Sequence, residues 1–205
     1  MYNAKWFFNE FKTKVTEDTI DFSSYKHGKS FTPIITEKII EIIESAELCY
    51  SKEYFRIDVS GWKDRINDIV GDTKGLKRHL WDLEIAVEHE NANNDWTDEL
   101  IKLIHIRCPL KVIIGYNSYD NRNDEEKLAV ASKWMKKVNA FSSSSDEEYL
   151  IILGNTSGHD NKYSTFDYRG YLYNYQSAFF EKIGKSTLKK ATHTSGFFNI
   201  LCLSV

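Results

Sequence analysis

Two short stretches of this chain set acidic side chains in apolar surroundings. One is Leu83-Glu84-Ile85-Ala86-Val87-Glu88-His89-Glu90-Asn91, and the other, earlier in the chain, is Tyr54-Phe55-Arg56-Ile57-Asp58-Val59-Ser60. Both read as strands, rich in β-branched and aromatic residues. Successive side chains of a strand point to opposite faces, so Leu83, Ile85 and Val87 are expected in the core, with Glu84, Glu88 and Glu90 on the other side. Three carboxylates along one strand repel one another, and a hard cation that takes oxygen ligands removes the repulsion. The pattern therefore predicts a divalent-metal site on Asp58, Glu88 and Glu90, for Mg²⁺ with Mn²⁺ able to substitute. The competing reading is a half-exposed strand whose polar face is simply solvated; the strongly apolar flanks make a bare acidic face costly and favour the ion. His89 falls on the apolar side by alternation and reads as a core or supporting histidine.

The elements that must position these residues alternate between helix and strand. Trp6, Phe7 and Phe11 at helical spacing predict a short amphipathic helix over residues 4–14. Thr32-Pro33 offers an N-cap followed by proline at the first helical position, and Ile34, Ile35, Ile39, Ile42 and Ile43 carry that helix to about Ala46. A strand at 53–60, a possible helical turn at Asp64 to Val70 and the acidic strand at 82–90 follow. Asp95 caps a helix in which Trp96, Leu100, Leu103 and Ile104 share a face. The nearly all-apolar run from Leu110 to Tyr116 is expected of a central strand covered on both sides. A helix from Glu125 to Val138, a strand from Glu148 to Gly154, an aromatic strand from Phe166 to Tyr173 and a helical turn at Ala178 to Ile183 complete the reading. The expected fold class is α/β, a mixed central sheet flanked by helices, in one domain spanning residues 1–205.

Asp58 on one strand, Glu88-His89-Glu90 on a later one, a helix beginning near Trp96 and the strand Lys111-Val112-Ile113-Ile114 together resemble the PD-(D/E)XK nuclease superfamily, the restriction-endonuclease-like fold. The resemblance covers a core of about residues 33–116, with an N-terminal helix and a C-terminal α/β extension outside it. It implies that Asp58 and Glu88 ligate Mg²⁺ and that Glu90 stands in the place of the motif lysine. Ile57 replaces the motif proline, a frequent loss in the family. A glutamate at position 90 can accept a proton from the attacking water or bind a second cation. Lys102, about two turns into the following helix, is the candidate for a migrated positive charge, against a plain surface lysine. A carboxylate from the preceding helix often joins such sites; of Glu37, Glu41 and Glu44, the choice is Glu41, against a solvated helix face. The implied reaction is metal-assisted phosphodiester hydrolysis of nucleic acid, with DNA the favoured polymer, in restriction or defence.

Composition sets bounds. The 27 basic and 30 acidic residues leave a formal charge of −3, so the chain lacks the overall basic balance of many nucleic-acid binders, although a bound dication would cancel that deficit locally. Basic residues do cluster at Lys74, Lys77 and Arg78, and at Lys182, Lys185, Lys189 and Lys190. No apolar run is long enough to cross a bilayer and the first residues lack a signal-peptide pattern, so a cytoplasmic protein with no membrane partner is expected. Cys49, Cys108 and Cys202 are odd in number and widely spaced, which suits reduced core thiols. His105-Ile106-Arg107-Cys108 lacks a partner pair for zinc, and no phosphate-binding glycine loop is present. The alternative function is a noncatalytic member of the same fold whose aromatic C-terminal region, Phe166 to Tyr173 and Phe197 to Leu201, forms a partner or homodimer interface.

Overall fold

The computed structural model describes residues 2–16, 19–20, 31–65, 81–91, 96–117, 124–138, 141, 146–155 and 167–183. Its elements are α1 (Ala4–Lys14), α2 (Phe31–Ser45), β1 (Cys49–Tyr54), β2 (Ile57–Asp64), β3 (Trp81–His89), α3 (Trp96–Ile104), β4 (Leu110–Asn117), α4 (Asp124–Met135), β5 (Glu148–Asn155), β6 (Arg169–Asn174) and β7 (Phe179–Lys182). The seven strands form one sheet in sequence order. Strands β3, β4 and β5 run parallel in the centre, and antiparallel strands extend the sheet on either side. The expected α/β architecture with a mixed central sheet is what the chain adopts.

Each face of the sheet is closed by its own helix pair. Apolar residues of α1 and α2, among them Phe7, Phe11, Ile35, Ile39 and Ile43, pack on Val59, Ile85, Val87, Val112, Ile114 and Leu150. On the opposite face Trp96, Leu100, Leu103 and Ile104 of α3 and Leu128 and Met135 of α4 pack on Ala86, Ile113, Ile151 and Leu153. Every residue of β4 is buried, as its apolar run predicts for a strand covered twice.

The acidic segment around Asp58 is not one strand. Tyr54 pairs with Ile57, and Phe55 and Arg56 form the two-residue turn between β1 and β2 with φ of 52° and 60°. Positive φ at both central positions is the geometry that fits the twist of a tight hairpin, normally met with Asn-Gly. Here an aromatic and an arginine occupy it, so the sequence carries no turn signal. Asp64 ends β2 and Arg65 belongs to no helix, against the helical turn expected there, whose residues 66–70 lie outside the described residues.

Four further expectations change. Gly61 pairs with Ile85 but Trp62 pairs with Leu83, so Glu84 is an extra residue, a β-bulge. The bulge turns Leu83 toward the cluster beneath α3, while Ile85 and Val87 face α2. Residues 179–182 form strand β7 against β6 rather than a helical turn, because that edge offers backbone partners. Tyr168, Tyr171 and Tyr173 are buried in the chain's own core, which removes them from any partner surface; Phe166 and residues 197–201 lie outside the described residues. Cys108 is a buried thiol as expected, whereas Cys49 is exposed on edge strand β1.

Candidate functional site

Carrying the β2–β3 register one residue beyond Val59 and Val87 sets Asp58 directly opposite Glu88. Facing residues of an antiparallel pair point to the same side, with Cβ atoms about 4.5–5.5 Å apart. That side is the one covered by α3, because Glu88 alternates with Val87 and shares its face with Ala86. The pairing is tied further by the His89 amide, which donates to Asp58 Oδ2 at 2.7 Å.

Helix α3 brings the positive charge. Its first turn is seated by Trp96, whose ring lies so close over Gly115 that a Cβ there would come within 2.7 Å of it. The Trp96 indole donates to Asn117 Oδ1 at 3.2 Å. From this anchor Lys102 reaches back across the sheet: Nζ lies 2.8 Å from Glu88 Oε2 and 2.5 Å from Glu99 Oε2, and donates to the Arg56 carbonyl at 3.0 Å. The hairpin turn, the acid pair and α3 are thereby joined in one polar centre. Glu99 was not singled out in the sequence; its spacing of three residues before Lys102 on a helix is the signal that reveals it.

Burial sets the electrostatics. Glu88 is 1% exposed. Burial pushes its carboxyl up to about 8 against the opposing pull of Lys102, and Asp58 adds to the rise. Asp58 is also raised, by burial first, with the His89 amide and Lys102 working the other way and Glu53 and Glu99 adding to the rise. Burial pulls the Lys102 ammonium down, but Glu88 and Glu99 outweigh it and its value is raised. Glu88 Oε1 is buried with no hydrogen-bond partner among the described residues.

His89 occupies the apolar face, as alternation predicts. Its Nε2 is 3.2 Å from the Tyr116 hydroxyl, and its ring packs against Phe31. Burial pushes the imidazole down to about 3, so it is neutral and takes no part in the acid pair's chemistry.

One of the suggested ligands is not brought into this centre. Glu41 lies on α2, the helix of the opposite face, and its carboxylate pairs with Lys38 at 2.7 Å and Lys14 at 3.7 Å. Glu90 follows the end of β3, half-buried, and its amide donates to the Ile114 carbonyl at 2.9 Å. Among the described residues no three of His, Cys, Asp and Glu gather at metal-ligand spacing. Of the four expected carboxylates, Asp58 and Glu88 are the two that the register sets face to face, with Lys102 beside Glu88. A pair still fits a magnesium-like ion, which is commonly held by one or two carboxylates and completes its shell with water and substrate phosphate. The orphaned Glu88 Oε1 is the donor atom such an ion would satisfy.

A second polar centre sits at the carboxyl ends of β4 and β5. Arg169 pairs with Asp124 through Nε at 2.6 Å, the Tyr171 hydroxyl donates to Asp124 at 2.8 Å, and Asn117 and Asn155 complete the network. Its buried groups are mutually satisfied, so it reads as a structural plug that holds the start of α4 against the sheet.

Of the two basic clusters, residues 74–78 and 185–190 lie outside the described residues, and Lys182 is exposed on β7. No described helix is long and apolar enough to cross a membrane. Comparison of the chain with protein-family models, with curated proteins and with solved structures returns no match.

Proposed function

We propose that this protein is a divalent-metal-dependent phosphodiesterase acting on nucleic acid, with DNA the favoured polymer, of the restriction-endonuclease-like type. The order α2, β1, β2, β3, α3, β4 supports it, because it puts an aspartate on the second strand and a glutamate on the third, the arrangement of the PD-(D/E)XK resemblance. The observation that carries it is the buried Glu88, facing Asp58, with one oxygen unpartnered and the other held by Lys102.

Asp58 and Glu88 would hold the ion. When bound, a Mg²⁺ or Mn²⁺ ion supplies Lewis-acid polarisation of the phosphodiester and acidifies a water. The chain's own residues do the rest. The His89 amide fixes the Asp58 carboxylate, and Glu99 and the Arg56 carbonyl hold the Lys102 ammonium within reach of an anionic phosphate. Lys102 thus takes over the charge that Glu90 cannot provide from the motif position. A noncatalytic member of the fold is the second reading, favoured by the Lys102–Glu88 ion pair, which partly neutralises the acid without any ion.

Nicking of supercoiled plasmid in Mg²⁺ or Mn²⁺ separates the two. A nuclease cleaves, and Asp58→Ala, Glu88→Ala and Lys102→Ala each lower the rate by at least about a hundredfold, the usual scale for losing a group that stabilises transition-state charge. Absence of cleavage, or cleavage that survives Glu88→Ala, overturns the proposal.

A further inference from the structure

Beside the acid pair, on the same face of the sheet, lies a cavity of about 780 Å³ lined by Phe55, Ile57, Trp81, Leu83, Ile106 and Pro109, with Asp82, Glu84 and Arg107 as its charged groups. Two of its lining residues, Phe55 and Trp81, are aromatic, and behind them Tyr54 and Trp62 extend the ring contacts. Phe55 lies 4.5 Å from Tyr54, Tyr54 lies 5.6 Å from Trp81, and Trp81 lies 6.1 Å from Trp62, measured between ring centres. Phe55 is 70% exposed, the most exposed large apolar side chain among the described residues. It stands at the hairpin turn with a left-handed backbone, which holds the ring out at a cost in conformational energy.

We infer that this cavity is a subsite for an unpaired nucleobase of the substrate strand, stacked on Phe55 and Trp81; the inference rests on the nuclease reading for its substrate class. The charges decide between base and backbone. Asp82, paired with Arg65 at 3.2 Å, and Glu84, which accepts from the Tyr2 hydroxyl, disfavour phosphate and keep further carboxylate lone pairs for N–H donors of a base edge, whereas Arg107, exposed in the lining, suits a flanking phosphate. Aromatic rings take any base on its π-face. Continuity with the site supports this occupant: Ile57 lines the cavity and the next residue is Asp58, while the Arg56 carbonyl anchors Lys102. A base seated here brings its strand onto the acid pair. A base stacked inside a duplex cannot enter without being extruded, so the subsite selects single strands, ends or flipped nucleotides.

The test measures binding of fluorescein-labelled dC12 by anisotropy in Ca²⁺, with the same oligonucleotide annealed to dG12 as the duplex control, alongside the plasmid-nicking assay. The single strand is expected to bind more tightly than the duplex. Phe55→Ala and Trp81→Ala should each weaken its binding by about tenfold, the scale of one lost base–aromatic stack. Phe55 is exposed, so its truncation reports on the subsite without disturbing a core. No single-strand binding by the wild-type protein, or equal affinity of wild type and Phe55→Ala, overturns the inference; if nicking persists, the nuclease reading survives that result. Phe55-dependent binding without nicking leaves the subsite standing and removes the nuclease reading instead.

Discussion

Lys102 Nζ lies 2.8 Å from Glu88 Oε2, joining a half-buried helical lysine to a carboxylate that is almost wholly inside the protein. Removing one partner of such a pair leaves a buried polar group without its partner, whereas removing both leaves an unstrained neutral site. Lys102→Met is therefore expected to destabilise the fold by about 1–3 kcal/mol, the cost of an unsatisfied buried polar group. The double variant Lys102→Met with Glu88→Gln should recover much of that loss. Urea denaturation of the four proteins checks it, and a double variant as unstable as the sum of the two singles contradicts the coupling.

Glu88 and His89 give the stability opposite pH slopes. The Glu88 value is raised from 4.5 to about 8, so across that window the folded protein holds more protons than the unfolded chain and stability falls as pH rises. His89 is lowered from 6.5 to about 3, so there the unfolded chain holds more protons and stability falls as pH drops below 6.5. Glu88→Gln should remove the alkaline decline and leave the acid one. A cation held by Glu88 competes with its proton, so Mg²⁺ should raise the melting temperature more at about pH 9 than at about pH 6. An equal rise at both values argues against the Asp58–Glu88 pair as its ligands.

The Phe55-Arg56 turn stores strain that a glycine relieves. Left-handed backbone costs a non-glycine residue about 1–2 kcal/mol, and Arg56 has φ of 60°. Arg56→Gly keeps the carbonyl that accepts from Lys102, so it should stabilise the protein by up to about 1 kcal/mol after the unfolded chain's added freedom is counted. A rise in the urea midpoint with unchanged slope is the expected result.

Asp124→Asn tests the second polar centre. Burial tends to raise the Asp124 carboxyl, but Arg169, with Tyr171 and Asn117, outweighs it and holds the value below the ordinary aspartate range. The stability contributed is present above that range and lost as pH falls through the folded value. Neutralising Asp124 removes the counter-charge of the Arg169 guanidinium, which keeps its bonds to Asn155 and the Asp167 carbonyl, and is expected to cost about 3 kcal/mol. The variant should also lose that acid-dependent component of unfolding, and an unchanged acid limb would show that Arg169 is held by other groups.

The central strands and helices α1 to α4 were legible in the chain, and so were Asp58 and Glu88 as candidate acids. The apolar run from Leu110 to Tyr116 reads as a strand covered on both faces, and the repeats of isoleucine in α2 and of Trp96, Leu100 and Leu103 in α3 read as helix faces turned to a core, as the structure has them. These signals are local, carried by periodicity within one element. Strand alternation likewise put Glu88 and His89 on opposite faces, and the structure keeps them there.

Tertiary structure alone decided which acids meet. The turn at Phe55-Arg56 lacks the residues that announce one, yet it sets where β2 begins and hence that Asp58 faces Glu88. The bulge at Glu84, which turns Leu83 to the other face, and the seating of Trp96 on Gly115, which anchors the helix that carries Lys102, depend on neighbours distant in sequence. Glu41 has the same side chain as Glu88 but lies on the helix of the other face, paired with Lys38 and Lys14. Composition and spacing name the candidates; register and helix placement, which come from long-range packing, choose among them.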